Sequence, residues 1–194
     1  MNAQFAQPTP FDEERYLRDQ ALKNKRFALV LWRVANGMVF VFFIFANYLM
    51  RSVQASWPPA GIPRADALIP AVFTLVLLLS AIPATRTQGA IRREDRVGLG
   101  RNILATCGLA ILFLVGIAVM WSQLIPGSAY SSIFYVMLGF HALHVVAGML
   151  LFGYVYAKSK TYTKENHWGV EAAAVFWQFV ALMWIFFFLV LYIV

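Results

Sequence analysis

The chain has little charge and few of the residues that bind metals. Of its 194 residues only 13% are charged and 61% are hydrophobic, whereas about 25% of an average soluble domain is charged. A soluble domain of this size could not bury so much apolar surface, so the composition indicates an integral membrane protein. A single cysteine, Cys107, excludes a disulfide within the chain and a thiolate metal cluster built from this chain alone.

The N-terminal segment lacks the apolar core of a signal peptide, since its first 25 residues are polar and mixed in charge. We therefore predict a cytoplasmic N-terminal arm over 1–25 and expect the first apolar segment to remain as a helix. The apolar runs that follow are long enough to cross a hydrocarbon core of about 30 Å. The sequence predicts an all-α fold, a five-helix transmembrane domain over 26–194. Its helices are expected over about 27–50, 67–85, 99–123, 131–157 and 170–194.

Basic residues predict the orientation of the bundle. The net charge is +7, and fourteen of the sixteen Lys and Arg residues lie before the first helix, near its start, or around the second and fourth loops. Only Arg51 and Arg64 lie on the other side. By the positive-inside rule this predicts a cytoplasmic N-terminus and a C-terminus on the opposite side, N-in/C-out. No basic stripe is interleaved with exposed aromatic residues, so a nucleic-acid partner is not expected.

The candidate polar sites lie on the last two helices. His141 and His144 are one turn apart on helix four and could share a metal, but the nearest further ligands, His167 and Glu171, come from the start of helix five, several turns away. We interpret the two histidines as buried and neutral, bonded to neighbouring helices. A carboxylate such as Glu171 suits a helix N-terminus, where it caps the helix or bonds to a neighbouring helix. The alternative is that Glu171 binds a proton or contacts a lipid headgroup. The sequence has no nucleotide loop, covalent haem motif or nucleophile–base pair.

Three stretches resemble subunit III of the haem-copper oxidases, the cytochrome c oxidase type, in its bacterial five-helix form. The first stretch reads Ile-Pro-Gly-Ser-Ala-Tyr-Ser-Ser-Ile-Phe-Tyr at 125–135 and continues to Gly-Phe-His-Ala-Leu-His-Val-Val-Ala-Gly at 139–148, similar to the family's Gly-x-His-x-x-His-Val-x-x-Gly helix. The second, residues 167–180, reads His-Trp-Gly-Val-Glu-Ala-Ala-Ala-Val-Phe-Trp-Gln-Phe-Val and resembles its terminal helix, which has Glu, a spacer and Trp-His-Phe-Val-Asp. Residues 57–63, Trp-Pro-Pro-Ala-Gly-Ile-Pro, are similar to its first external loop.

The resemblance implies an accessory subunit of a proton-pumping terminal oxidase, which reduces O2 in aerobic respiration in the bacterial inner membrane. Haem and copper would lie in partner subunits, and this chain would hold no cofactor or catalytic residue. It would stabilise subunit I and bind phospholipids. Its expected partners are oxidase subunits I and II, phospholipids and, as a further alternative, a respiratory supercomplex.

The resemblance also implies which residues matter. Four positions on helices four and five match the family motifs and are expected to fix the bundle: His141, His144, Glu171 and Trp177. Four polar or aromatic residues near the membrane surfaces are expected to contact lipid: Trp57, Arg64, Arg96 and His167.

Several positions depart from the family pattern. Gly37 replaces a carboxylate on the first helix, and Met120 replaces a glutamate before Trp121. Gln178 and Ala181 stand where the terminal motif has His and Asp. Because these intramembrane groups are neutral here, we expect a scaffolding role rather than a proton path.

Two alternatives remain. The same fold serves quinol oxidases and the accessory protein of nitric oxide reductase. From a different class, an independent transporter or channel would need a polar pathway, for which the helices carry few ionisable groups.

Overall fold

A computed structural model gives the structure of the protein and describes residues 10–194. Within that range the chain forms five helices and a final π-helical turn, and every helix is long and apolar enough to span a membrane. The predicted all-α, five-span architecture is therefore confirmed, whereas the N-in/C-out orientation stays a prediction. The helices are α1 (Pro10–Ser52), α2 (Leu68–Arg92), α3 (Arg96–Ser122), α4 (Ala129–Ala157) and α5 (Trp168–Phe188), followed by the π turn (Leu189–Ile193).

Helix α1 begins earlier than the sequence patterns predicted. It starts at Pro10 rather than near residue 27, because residues 11–36 contain no proline or glycine and many good helix formers. The chain packs as two units, divided after Asn36. Within the first unit, Glu14 pairs with Arg18 at 3.6 Å one turn away. Residues 1–9 of the predicted arm lie outside the described residues, and the division into arm and membrane domain stays a prediction.

Helix α2 also extends past its predicted end at 85. Pro83 removes one backbone donor, yet the helix continues to Arg92. Four of the residues that follow Pro83 are buried, namely Ala84, Thr87, Ala90 and Ile91. Burial of this last turn in the bundle offsets the missing hydrogen bond.

Local signals set the starts of α3 and α4. The Asp95 side chain accepts from the Gly98 N–H at 2.7 Å and so caps α3. Ser128 and Ser131 form a reciprocal capping box at the start of α4. Gly127, just before it, has a φ of +97°, a conformation that glycine adopts without steric cost. These local contacts fix where α3 and α4 begin.

Helix α5 is central to the bundle formed by residues 37–194. It packs against α2 and α4, while α3 packs against both α2 and α4. Half of its membrane-spanning window is buried. Its contact with α4 is close at Gly148, where the ring of Trp177 lies over the α4 backbone.

A methyl group at Gly148 should destabilise the bundle. A Cβ at this position would lie 2.6 Å from Trp177 Cε3, and Trp177 is fully buried. We expect Gly148→Ala to lower the free energy of unfolding by about 1–3 kcal/mol, as overpacking does. Reversible unfolding by SDS in mixed micelles measures the change. Gly153→Ala is the matched control on the same helix, because no atom lies within 4 Å of its Cβ position. Equal stability of the two variants would contradict the close packing.

Candidate functional site

Two tryptophans on one face of α5 form the buried polar contact with α2. Trp177 and Trp184 are seven residues apart, about two turns, and both are 0% exposed. Trp177 Nε1 donates to Ser80 Oγ at 2.9 Å, and Trp184 Nε1 donates to Thr74 Oγ1 at 2.7 Å. Because the residue number falls on α2 as it rises on α5, the two helices run antiparallel.

Each of these hydroxyl groups makes a second hydrogen bond. Ser80 Oγ donates to the Leu77 carbonyl at 2.5 Å, and Thr74 Oγ1 donates to the Pro70 carbonyl at 2.8 Å. A hydroxyl carries one donor and two acceptor lone pairs, so it can satisfy the indole and its own backbone at once. This arrangement leaves both indole N–H groups satisfied inside an apolar bundle.

Two of the four neutral positions that depart from the family pattern also make contacts between elements. Gln178 Nε2 donates to Thr85 Oγ1 at 3.1 Å. Met120 Sδ accepts from the Tyr192 hydroxyl at 3.3 Å, which joins α3 to the π turn. The other two positions pack without polar groups, since Ala181 is buried and the Cβ site of Gly37 is 3.9 Å from Phe179.

His141 lies among aromatic rings rather than hydrogen-bonding groups. It is 0% exposed, and its ring centroid is 4.9 Å from that of Trp184 and 5.7 Å from that of Phe113. Phe40 and Phe187 complete the cluster. Among residues 10–194, neither ring nitrogen of His141 has a hydrogen-bond partner. The prediction that this histidine bonds to a neighbouring helix is therefore wrong, because aromatic rings of the facing helices surround it.

The His144 ring forms a hydrogen bond with the backbone of its own helix. Its Nδ1 is 2.9 Å from the carbonyl oxygen of Phe140, one turn earlier on α4. The ring stacks on Phe176 of α5 with an interplanar angle of 12°. It also lies edge-on to Phe40 of α1. His144 thus joins three helices mainly by ring packing.

The start of α5 carries the remaining motif residues. The His167 carbonyl accepts from the Val170 and Glu171 N–H groups and so begins the helix. Glu171 is half-buried in the first turn. Within the described part of the chain, no group of three or more His, Cys, Asp or Glu side chains could hold a metal ion. The described motif residues therefore do not form a metal site of this kind.

The aromatic and basic residues expected to contact lipid also have protein partners. Trp57 lies edge-on to Tyr130 at 5.2 Å between centroids. Arg64 donates to the Ile193 carbonyl at 3.3 Å. Arg96 donates to the Ser159 carbonyl at 2.5 Å and to the Tyr162 carbonyl at 3.4 Å. These arginines hold loop and helix-end carbonyls, which lack partners within a helix.

The Tyr162 side chain, next to the Arg96 contact, is partly buried. Tyr162 lies in the loop after α4, and burial raises the pKa of its phenol, with Tyr154 adding to the rise. Its hydroxyl lies against Gly169, where a Cβ would overlap it. The phenol therefore stays neutral and packs the loop onto the first turn of α5.

The hydroxyl partners on α2 were missed from the sequence. The signal that could have found them is the presence of hydroxyl residues, Thr74, Ser80 and Thr87, within an apolar segment. With about 3.6 residues per turn, Ser80 and Thr87 lie on one face of the helix and Thr74 lies about 120° around it from Ser80, and all three are buried. Buried hydroxyl residues in a membrane helix are typical of helix–helix contacts.

Removing the Ser80 hydroxyl should weaken the contact between α2 and α5. Ser80→Ala leaves the buried indole N–H of Trp177 without its acceptor, and we expect a loss of about 1–2 kcal/mol in unfolding free energy. Unfolding in SDS micelles measures it. Ser122→Ala is the matched control, since exposed Ser122 also donates to a carbonyl three residues earlier but to no other helix. A loss no greater than that of the control would show that the indole bond adds nothing.

The family model and the individual relatives that match this chain carry the same family name. The model of the family described as cytochrome c oxidase subunit III matches residues 18–194. A cytochrome c oxidase subunit 3 from Synechocystis sp. is 36% identical over 175 residues, which is 87% of this chain and 75% of that protein. The one from Thermostichus vulcanus is 31% identical over 171 residues, 85% of each. The one from Oncorhynchus mykiss is 30% identical over 181 residues, 88% of this chain and 69% of the relative.

Proposed function

The chain belongs to the cytochrome c oxidase subunit III family, and we propose from this that it is an accessory subunit of a proton-pumping terminal oxidase. In this role it stabilises subunit I of the complex and binds phospholipid while O2 is reduced elsewhere. The observation that carries the proposal is the burial of two of the four family-motif side chains in contacts between helices. His141 and Trp177 are both 0% exposed, and a fully enclosed side chain serves packing rather than substrate binding.

The proposal assigns the redox chemistry to other chains. Haem and copper would be held by a partner subunit, as membership of this family implies. The partners are oxidase subunits I and II, and the oxidase would in turn join a respiratory supercomplex. The complex would lie in the bacterial inner membrane, with this chain as a multi-pass subunit oriented N-in/C-out.

Lipid binding is supported by the outer surface of the helices. Large apolar side chains such as Leu104, Leu143 and Leu150 are more than 60% exposed, as expected for residues that face acyl chains. Exposed Arg64 and Arg96 lie beyond or at helix ends, where headgroups would lie. Trp57 and His167 are half-buried at similar positions. Each of these four remains a proposed lipid contact alongside its protein contacts.

Purification of the native complex tests this function. The chain is tagged and extracted from its own membranes in mild detergent. We expect a polytopic partner with a haem absorption spectrum to co-purify, and the complex to oxidise reduced cytochrome c with consumption of O2. Activity with quinol and none with cytochrome c would favour the quinol-oxidase alternative.

Two other outcomes would contradict the proposal. If no haem-bearing polytopic subunit remains attached in mild detergent, the chain is not a stable oxidase subunit. If the purified chain alone moves an ion across liposomes, it is an independent channel or transporter.

The orientation has its own test. Replacing the single cysteine by Cys107→Ala gives a template for single-cysteine variants. Gln54→Cys and Lys164→Cys lie in exposed loops on opposite predicted sides. Because fourteen of sixteen basic residues are on the predicted cytoplasmic side, we expect a membrane-impermeant maleimide to label Gln54→Cys in intact cells, and Lys164→Cys only after lysis. The reverse labelling pattern would show that the chain is oriented N-out/C-in.

A further inference from the structure

A cavity of about 200 Å³ lies at the end of the bundle where α3 ends and α4 begins. The loop before α2, the segment after α3, the first turn of α4 and the π turn all contribute to its lining. Its floor is buried, since Met120 is 3%, Tyr130 2% and Tyr192 5% exposed. Arg64 and Gln123 on its wall are exposed. Because these are helix ends, the cavity lies near a membrane surface, within reach of water-soluble ligands.

Two tyrosines place hydroxyl donors on the floor of the cavity. The Tyr192 hydroxyl donates to Met120 Sδ at 3.3 Å, and a thioether sulfur is a weak acceptor. The Tyr130 oxygen accepts the Ala65 N–H at 2.9 Å, while among residues 10–194 the proton of that hydroxyl has no acceptor. A buried donor without a good acceptor costs free energy. Both hydroxyls can therefore gain a bond from an oxygen atom of a ligand.

The wall of the cavity adds further donors. The guanidinium of Arg64 has five N–H groups, and its described bond is a single one, from Nη2 to the Ile193 carbonyl at 3.3 Å. The only carboxylate among the described lining residues belongs to Asp66, and its Oδ1 already accepts the Leu68 N–H at 3.2 Å. Donors thus outnumber free acceptors. An arginine beside neutral hydroxyl donors suits a carboxylate, which accepts two parallel N–H bonds from the guanidinium fork.

The rest of the lining sets the size and polarity of the ligand. Ile62, Leu124 and Ile125 contribute apolar surface, which favours an organic group over a cluster of water molecules. A dry cavity of about 150 Å³ holds one benzene molecule, so this cavity has room for a single ring or a short branched chain. It is too small for a lipid with two acyl chains.

We propose that this cavity binds a small monocarboxylate, a molecule of about the size of benzoate with one apolar ring or a short branched chain. Its carboxylate accepts from the hydroxyls of Tyr130 and Tyr192 and from the guanidinium of Arg64. Its apolar part lies against Ile62 and Leu124. The inference goes beyond the proposed function, because it assigns a soluble ligand to this chain and rests on the cavity alone.

Fluorine NMR on the native complex, purified with all its subunits, tests the cavity. The probe is 4-fluorobenzoate, and its dissociation constant is measured for complexes that carry the wild-type chain or a variant. Arg64→Gln removes the guanidinium from the wall. Arg51→Gln is its matched control, because Arg51 also holds a backbone carbonyl at the end of α5, that of Val194 at 3.0 Å, but does not line the cavity.

A second pair of variants tests the floor. Tyr192→Phe removes the hydroxyl and keeps the ring, with the loss of one weak bond to sulfur. Tyr48→Phe is the matched control, since Tyr48 is exposed and lies outside the cavity. Unchanged subunit composition and thermal stability show that each variant is folded and assembled. Partition of the probe into detergent is the same for all variants, so differences between them report on the cavity.

We expect the wild type and both controls to bind 4-fluorobenzoate, and Arg64→Gln and Tyr192→Phe each to bind it at least about tenfold more weakly. The neutral 4-fluorobenzamide should bind the wild type more weakly than the carboxylate, and glycerol phosphate should not displace the probe. Absence of binding by the wild type would overturn the proposal, whether water or a neighbouring subunit fills the cavity. Unchanged binding in the two cavity variants, or equal binding of amide and carboxylate, would also overturn it. Displacement by glycerol phosphate would make this a phosphate site instead. The readout is binding alone, so it does not depend on whether the complex is an oxidase.

Discussion

The interior of a bilayer offers no water to a polar side chain, so each such group must find a partner within the bundle or be surrounded by packing that tolerates it. In this protein the indole N–H groups of Trp177 and Trp184 are bonded to hydroxyls of α2. These bonds fix which face of α5 meets α2 and the register between the two helices. The contact of Trp177 with Gly148 then brings α4 against α5, so one α5 tryptophan joins three helices.

The number and the approximate positions of the spans could be predicted from the sequence, because a long apolar helix has a strong compositional signal. The ends were harder to predict. The second helix was predicted to end at about 85, whereas burial of Thr87 and Ile91 extends α2 to Arg92. The polar residues around Tyr16 suggested an arm, although helix formers without proline or glycine carry α1 back to Pro10. Local sequence therefore predicts which segments form helices, whereas tertiary packing determines where those helices end.

The pairing of side chains could be predicted only in part. The motif residues Trp177 and His141 were recognised, but the sequence does not say which residue of another helix faces them. Ser80 and Thr74 provide acceptors for the tryptophans, whereas the neighbours of His141 are aromatic rings. Such pairings depend on helix rotation and register, which leave only a weak periodic trace in α2.

The packing of α5 on α2 depends most on the bonds between the α5 indoles and the α2 hydroxyls. A double-mutant cycle on Trp184→Phe and Thr74→Val, measured by SDS unfolding in mixed micelles, isolates one of these bonds from the packing of each residue. We expect a coupling free energy of about 0.6–2 kcal/mol between the two positions. Fully additive effects of the two substitutions, with no coupling, would show that this bond does not hold the two helices together.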